Sequence, residues 1–482
     1  MPETLIPVAS VAGRTPRPSA RVYRSVALVS YLAREYHMAP YGAAVLANAI
    51  EDDERRRRCD PMTDVEVIAL DHATPAEQAA AEVLARDPAL IGLSLYVWNY
   101  SRTLALASAL RRARPDAVIV VGGPHVSRDD ARLTRAVADG IVDCCIAGEG
   151  EGAFLRILGQ PKDELPAFVD GDPALFSART SPYLSQPVLR RELDATKTVI
   201  IEGSRGCPFL CTFCDQGWRK ARLADDAPLR DELKALYDLG ARHFIFLDPT
   251  FNYHRSRMHD VLGFMREELP GATFSAELKV EMLKDDDVAA LDGLCTHIEA
   301  GLQTVHPETQ RVIRRRENVD RLWENTNALL GTGIKVAVNT IYGLPGESLA
   351  DWLATVDAAY AATRAQITST CLKVLPNTEI WNQRQTFGYL WDEDDLFRAL
   401  ESDAMSGAEF RRAEALSRVL SAVQTPDGVV PEVRLFLADR PGWKLSDFLV
   451  AMVDGRIVLR SGTDRAGARR LRLEMAGEAA AA

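Results

Sequence analysis

The feature that most restricts what this chain can fold into is an alternation of short β-rich runs with amphipathic helical stretches, which occurs twice. In residues 22 to 152 the runs "SVALVS", "VEVIAL", "ALIGLSLYVW", "AVIVVGG" and "VDCCIAGEGEGAF" are separated by helical segments such as "YGAAVLANAIEDDERRRR" and "TLALASALRRAR". Buried strands that alternate with amphipathic helices form a parallel sheet with helices packed on its faces. In residues 197 to 375 the pattern restarts with "TVIIEG", "HFIFLD", "TFSAELKV", "THIEAGLQ", "KVAVNTIYGLP" and "STCLKVL".

The fold class is therefore α/β. The first block predicts a Rossmann-like domain, and ligands of such sheets sit outside the carboxyl ends of the strands, where Ser94, Gly122 and Gly123 fall. The second block gives six strand–helix units, a partial (β/α)6 barrel two units short of the full eight. Residues 153 to 196, rich in Pro, Asp and Ser, read as a linker, and residues 1 to 21 as a loose tail. Past residue 375 the pattern weakens to helices around 394 to 424, a possible strand "VRLFLA" and the short piece "GRIVLRSG". Residues 376 to 482 are assigned to a small accessory region.

Composition narrows the functional classes. The apolar fraction of 47% and charged fraction of 26% are those of an ordinary globular protein. No apolar run reaches the ~18 residues of a membrane span. A net charge of -11 argues against nucleic acid as a partner. The local runs "EDDERRRR" at 51 to 58 and "RRRE" at 314 to 317 read as solvated helix ends. Of eight cysteines, Cys59, Cys144, Cys145, Cys295 and Cys371 are scattered and read as small buried hydrophobes. Without a secretion signal or a disulfide framework, a reducing, cytoplasmic setting is expected.

The other three cysteines lie in "GSRGCPFLCTFCDQG", directly after the β-branched stretch Thr198 to Ile201. Cys207, Cys211 and Cys214 have the spacing C-x3-C-x2-C. Iron–sulfur clusters take thiolate ligands, and a [4Fe–4S] cluster usually takes four, so three leave one iron open. An open position can coordinate a substrate or cofactor. A zinc site completed by a distant His or Cys, or a trio of loop thiols, is the plainer alternative. Zinc sites, however, typically pair C-x2-C with a second pair downstream, and none follows here.

With Phe213 just before the third cysteine, the motif resembles that of radical S-adenosylmethionine (SAM) enzymes, and over residues 22 to 375 the chain is similar to the class with an N-terminal cobalamin-binding domain. The resemblance implies a [4Fe–4S] cluster on the three cysteines whose open iron chelates SAM, with reductive cleavage to a 5′-deoxyadenosyl radical. It implies an external electron donor such as flavodoxin or ferredoxin. "FLDPTFN" resembles the segment that meets the methionine end of SAM and nominates Asp248 for its ammonium. "EAGLQTVHPET" and "YGLPGES" resemble the segments lining ribose and adenine and nominate Glu299, Gln303 and Ile341. Lys279 is a candidate cation for the SAM carboxylate, or an exposed strand-end lysine. Glu277, two residues earlier on the same strand face, is a further candidate.

"GLSLYVWN" and "VGGPHVS" resemble segments of cobalamin-binding domains, which nominates Ser94, Tyr96, Val97, Gly122 and Gly123, with Trp98 beside them. The D-x-H-x-x-G that supplies a histidine to cobalt in many such domains is missing. His37 has the wrong spacing and reads as a loop residue. The resemblance implies cobalamin-dependent methylation of an unactivated carbon in a small, natural-product-like metabolite, as in antibiotic biosynthesis. The alternatives are a cobalamin-independent dehydratase, deoxygenase or epimerase acting on a sugar or aminoglycoside-like substrate, and an iron–sulfur redox sensor or scaffold. The catalytic acid or base is not identified.

Overall fold

A computed structural model of the chain describes residues 21–32, 40–58, 63–173, 176, 180–217, 220–392, 396–424, 430–463 and 469–476. The expected tail at residues 1 to 20, His37 and Cys59 lie outside these residues. The first unit alternates β1 (Ser25–Tyr31), α1 (Tyr41–Arg57), β2 (Asp64–Leu70), α2 (Ala76–Leu84), β3 (Leu90–Ser94), α3 (Tyr100–Ala113), β4 (Val118–Gly123), α4 (Ala131–Ala138), β5 (Cys144–Ala147), α5 (Gly150–Ile157) and β6 (Phe168–Asp170). The strands pair in parallel in the order 2-1-3-4-5-6. Alternate residues feed two cores: Ile91, Val121 and Cys145 face α2, α3 and α4, whereas Leu28, Val120 and Ile146 face α1 and α5. The strand order reverses between β1 and β3, and such a switch point opens a crevice at the carboxyl ends of those strands.

Helices α6 (Pro182–Ser185) and α7 (Pro187–Thr196) lead to the second unit. It opens with β7 (Thr198–Ile201) and a two-stranded ribbon of β8 (Ser204–Arg205) and β9 (Arg222–Leu223), which brackets the cysteine loop. It continues through α8 (Asp226–Asp238), β10 (His243–Phe246), α9 (Arg255–Glu268), β11 (Thr273–Leu278), α10 (Asp285–Leu291), β12 (Cys295–Gln303), α11 (Pro307–Val312), α12 (Val319–Gly331), β13 (Lys335–Tyr342), α13 (Leu349–Ala362) and β14 (Gln366–Cys371). All neighbours are parallel in the order 7-10-11-12-13-14, with no reversal. One strand face packs Phe244, Phe246, Phe274, Ile298 and Val338 into the main core beneath the helices. The other, polar face lines the concave side.

The remainder is α14 (Glu379–Gln383), β15 (Leu390–Trp391), β16 (Ala399–Glu401), α15 (Gly407–Val423), α16 (Val430–Ala438), α17 (Leu445–Val453) and the antiparallel pair β17 (Ile457–Thr463) and β18 (Arg469–Met475). Strand β14 ends the barrel sheet, and an open edge invites pairing with other chains. Here Gln424, just past α15, accepts from Ile367 N at 2.7 Å and donates to Ile367 O at 2.8 Å, so a side chain takes the place of a seventh strand.

Three expectations need correction. The segment read as a linker from 153 to 196 is built into both units: its first part holds most of α5 and the sixth strand, β6, which pairs with β5, and its last part forms α6 and α7, whose Tyr183, Leu189 and Leu193 enter the main core. The "VRLFLA" run is helical, within α16, because Val433 and Phe436 at i and i+3 share one buried face. The charge runs are not solvated throughout. In "EDDERRRR" the acids Asp52, Asp53 and Glu54 are buried, with Asp53 taking Arg21 at 2.5 Å and Glu54 accepting from Thr63 N at 2.8 Å.

Candidate functional site

The cysteine loop follows β7 and folds over the carboxyl end of the barrel. Its backbone is held from several sides: Cys207 N donates to Gln216 O, Thr212 N to Ile313 O, Cys214 N to Cys211 O, and Ile380 N to Thr212 O. All three thiols are free, with Cys211 buried and Cys207 and Cys214 half-buried. Thr250 Oγ1 lies 3.7 Å from Cys207 Sγ, Gln216 N donates to Cys214 Sγ at 3.4 Å, and Arg315 Nη1 reaches Cys211 Sγ at 3.7 Å. Burial pushes the Cys214 thiol up to about 12, with Asp215 and the other two cysteines adding to the effect. A bound cation reverses such a shift, because metal-coordinated thiols are held deprotonated. Cys144, Cys145 and Cys295 are buried in the cores, and burial raises each to about 12.

A buried charge quartet underlies the loop. Lys279 Nζ contacts Glu281 at 2.5 Å and Glu317 at 3.1 Å, and Arg315 Nε meets Glu317 at 2.5 Å. Glu317 is fully enclosed, so burial raises its carboxyl despite the two cations. Lys279 is 9% exposed and its ammonium lies 4.8 Å from the Phe209 ring centre. The reading of Lys279 as an exposed strand-end residue is therefore excluded. Its backbone is pinned by Asn252, which accepts from Lys279 N at 3.0 Å and donates to Lys279 O at 2.9 Å. Arg315, Glu317, Glu281, Thr250 and Asn252 were missed from sequence. Thr250 and Asn252, in "FLDPTFN", and Arg315 and Glu317, in "RRRE", lay within segments that the sequence singled out, and Glu281 did not.

Further down the concave face, alternate residues of β10 to β14 meet. His297 Nε2 lies 2.7 Å from Glu299 Oε1, and Asn339 Nδ2 donates to Glu299 Oε2 at 2.9 Å, while Thr368 bonds Asn339 Oδ1. His297 and Glu299 side chains are 34% and 39% exposed although they sit mid-strand in a sheet covered by helices on its other face. That exposure marks open space inside the barrel. Burial would raise Glu299, but the bonds from His297 and Asn339 bring it below the usual range. Glu277, exposed to the open space of the barrel and paired in register with Glu299, is pushed up to about 7 by desolvation within the enclosing wall and by the Glu299 charge. At the rim, Gln303 has φ 64° after a break in register, and its Oε1 is buried without a partner among the described residues. Gly301 lies close to both side-chain ends: a Cβ there would stand 2.6 Å from Arg315 Nη2 and 2.7 Å from Gln303 Nε2, so these groups would have to shift for any larger residue. Ile341 is buried on the adjacent strand, and Phe213 packs partly buried against the main core.

Asp248 does not join this group. Its Oδ2 accepts from Gly203 N at 2.8 Å, and its carboxylate shares a small cavity with Phe246, Phe251, Arg257 and Met258, on the helix-facing side. Residues 244, 246 and 248 have one parity along β10, and Phe244 and Phe246 are core. Burial pushes Asp248 up to about 6.

On the first sheet, Ser94 and Gly122 pair at the carboxyl ends of β3 and β4. A Cβ on Gly122 would meet only Ile146 Cβ, at 3.8 Å. Gly123, with φ 133°, is different: its Cβ would stand 2.3 Å from Leu95 O, so the chain itself demands glycine there. Tyr96 stacks on Trp98 with ring centres 4.3 Å apart, and Trp98 is 41% exposed. Val97 is turned into the core, its N–H donating to His125 Nδ1 at 3.0 Å, so Trp98 rather than Val97 presents apolar surface at this edge.

The two edges are joined by Arg205, two residues before Cys207. Its guanidinium contacts Glu149 at 3.0 Å and Glu151 at 2.7 Å, at the start of α5, and Glu202 at 2.7 Å, at the end of β7. Arg222 also binds Glu149, and the Phe176 ring lies 4.8 Å from the Arg205 guanidinium. From the other side, Asn377 donates to Val126 O at 3.1 Å and meets Ser127 Oγ at 2.5 Å.

Comparisons with known proteins agree with this division. The description of the Radical SAM superfamily matches residues 201–359, and that of the B12 binding domain matches residues 29–158. An uncharacterised methyltransferase of Synechocystis is 27% identical over 57% of this chain and 57% of its own length. The cobalamin-dependent radical SAM methyltransferase TokK of Streptomyces tokunonensis is 28% identical over 52% of this chain and 37% of its own. The chain thus spans less than two thirds of either relative. The structure of the radical SAM methyltransferase TsrM from Kitasatospora setae, with tryptophan and a SAM analogue bound, superposes with a TM-score of 0.59 over 75% of this chain and 76% of that one, at 19% identity, a likeness of fold.

Proposed function

Because the chain joins an N-terminal B12-binding domain to a radical SAM domain, we propose that it is a cobalamin-dependent radical SAM methyltransferase acting on an unactivated carbon of a small metabolite. The observation that carries this reading is the Arg205 junction, which ties the cysteine loop of one unit to the ligand edge of the other. When bound, the [4Fe–4S] cluster with SAM supplies a 5′-deoxyadenosyl radical and cobalamin supplies methyl-transfer chemistry. The residues present fit these groups: three free thiols on one loop, an orphaned Gln303 Oε1 at the rim, and a strand end at Gly122 open to close approach.

In this reading Cys207, Cys211 and Cys214 hold the cluster. Arg315, against Cys211 Sγ and Gly301 O, and Lys279 present positive charge where the SAM carboxylate docks. Glu277 and Gln303 accept hydrogen bonds from its ammonium and ribose hydroxyls, Ile341 and Phe213 give apolar surface to the adenine, and Glu299 is held back by His297 and Asn339. Ser94, Gly122, Tyr96 and Trp98 form the cobalamin edge. An electron must come from outside the chain.

The split between Glu277 and Glu299 favours one alternative. A carboxyl held up to about 7 beside a carboxylate held below its usual range is a proton-transfer arrangement, which loss of water in a radical dehydratase uses. Desalting after incubation with hydroxocobalamin separates the two: about one corrinoid per chain supports methyl transfer, and none shifts the assignment to the alternative. S-adenosylhomocysteine and 5′-deoxyadenosine formed from SAM under anaerobic reduction then report the reaction type. A loaded protein that forms neither is not a radical SAM enzyme of either kind.

A further inference from the structure

The run Arg314-Arg315-Arg316 alternates across the wall of the cysteine loop. Ile313 O accepts from Thr212 N, which fixes this segment beside the loop. Arg315 points inward, 13% exposed, to Cys211 Sγ. Arg314, with φ 53°, points outward and is 54% exposed. Arg316 is also exposed and has no carboxylate partner among the described residues. Between the first two cysteines, Pro208 is exposed and Leu210 is 58% exposed, an unusual position for a leucine within a metal-binding loop. Arg311 pairs with Glu308 and Arg314 with Glu379, and with Arg316 these exposed groups carry one net positive charge on a chain of net charge -11.

From this geometry we infer that the surface formed by Leu210, Arg311, Arg314 and Arg316 is the docking face for an acidic one-electron carrier protein. The inference rests on the cluster assignment above, since it concerns how that cluster is reduced. An apolar centre with a cationic rim suits a transient partner, because rim charges steer encounter while a small apolar contact leaves dissociation fast. Arg315, between Arg314 and Arg316 in the chain, reaches Cys211 Sγ at 3.7 Å, so this segment adjoins a cluster ligand. One electron leaves the carrier and enters the cluster, and no bond forms or breaks.

The test uses the full chain with its cluster reconstituted anaerobically, and reduced flavodoxin as the carrier. The rate of bleaching of the visible cluster absorption is measured by rapid mixing for the wild type and for Arg314→Glu/Arg316→Glu. At low ionic strength the double variant should be slowed by about tenfold or more, and the wild-type rate alone should fall steeply with added salt. Photoreduction by a deazaflavin, which needs no docked protein, should proceed equally in both. Leu210→Ser should slow the flavodoxin reaction without changing its salt dependence. Equal flavodoxin rates with equal salt dependence overturn the docking face, as does a variant slowed to the same degree under deazaflavin. A wild-type protein with no reducible cluster under deazaflavin overturns the cluster assignment itself, and the docking face with it.

Discussion

Asp248 is 5% exposed, and its folded-state carboxyl near 6 contrasts with about 3.9 in an unfolded chain. The folded protein therefore holds this proton more tightly. The stabilisation is complete below pH ~4 and is lost as pH rises to about 6, a change of about 3 kcal/mol by linkage. Asn keeps an acceptor for Gly203 N but has no proton to lose. Urea unfolding of the apo-protein should show that Asp248→Asn removes this part of the pH dependence and is no less stable than wild type at pH 7. SAM affinity should be unchanged, because the carboxylate lies on the helix side of β10. The sequence marked Asp248 for SAM because "DPTFN" carries the right residue types; which face a residue takes at the end of a four-residue strand depends on where the strand stops. Asn252, four positions on, pins the backbone of Lys279 from the same segment.

For the strands and the loops that follow them, legibility tracked apolar content. The six barrel strands and five of the six in the first sheet were readable because apolar residues recur along them, continuously in the "VIVV" of β4 and at alternate positions in the "TFSAEL" of β11. Strand β6 has three residues, Phe168–Asp170, and is a strand only because β5 lies beside it. Gly123 teaches a related lesson. Its role reads from sequence as making room for a ligand, but Leu95 fills the space. Gly123→Ala should lower stability by ~1–3 kcal/mol in thermal unfolding of the apo-protein, through positive φ and the clash with Leu95 O. Gly122→Ala should be nearly neutral in the same measurement, which makes Gly122 the position at which larger side chains report on cobalamin. A Gly123→Ala variant as stable as wild type would mean that the β3–β4 ends are more widely spaced than described.

For the whole molecule, the Arg205 junction is the part least visible in sequence, since its members Glu149, Glu151, Phe176, Glu202 and Arg222 span 73 positions and no local pattern links them. Removing the cation from three enclosed carboxylates leaves buried charge uncompensated, at a cost of about 3–5 kcal/mol. Arg205→Met should therefore split thermal unfolding into two transitions, one per unit, where the wild type shows one. Retention of a single transition would show that the Asn377 contacts and the packing of Tyr41, Ala44 and Val45 of α1 into the main core couple the units without Arg205. The sequence did reveal that there are two α/β units and that the cysteines end a strand in the second. It did not reveal that Arg315 and Glu317 of the charge run at 314 to 317 turn inward, because burial of ions is decided by tertiary partners such as Lys279 and Cys211.

The claim on which the rest depends is that one chain carries both groups, the cluster on Cys207, Cys211 and Cys214 and a corrinoid on the first sheet. Native mass spectrometry of the full chain, reconstituted anaerobically with iron, sulfide and hydroxocobalamin, tests it in a single spectrum. The main species should carry the added mass of one [4Fe–4S] cluster and one cobalamin together, and the triple cysteine-to-alanine variant should keep the cobalamin and lose the cluster. A wild-type chain that takes up only one of the two groups, or a triple variant that still gains four irons, would contradict it.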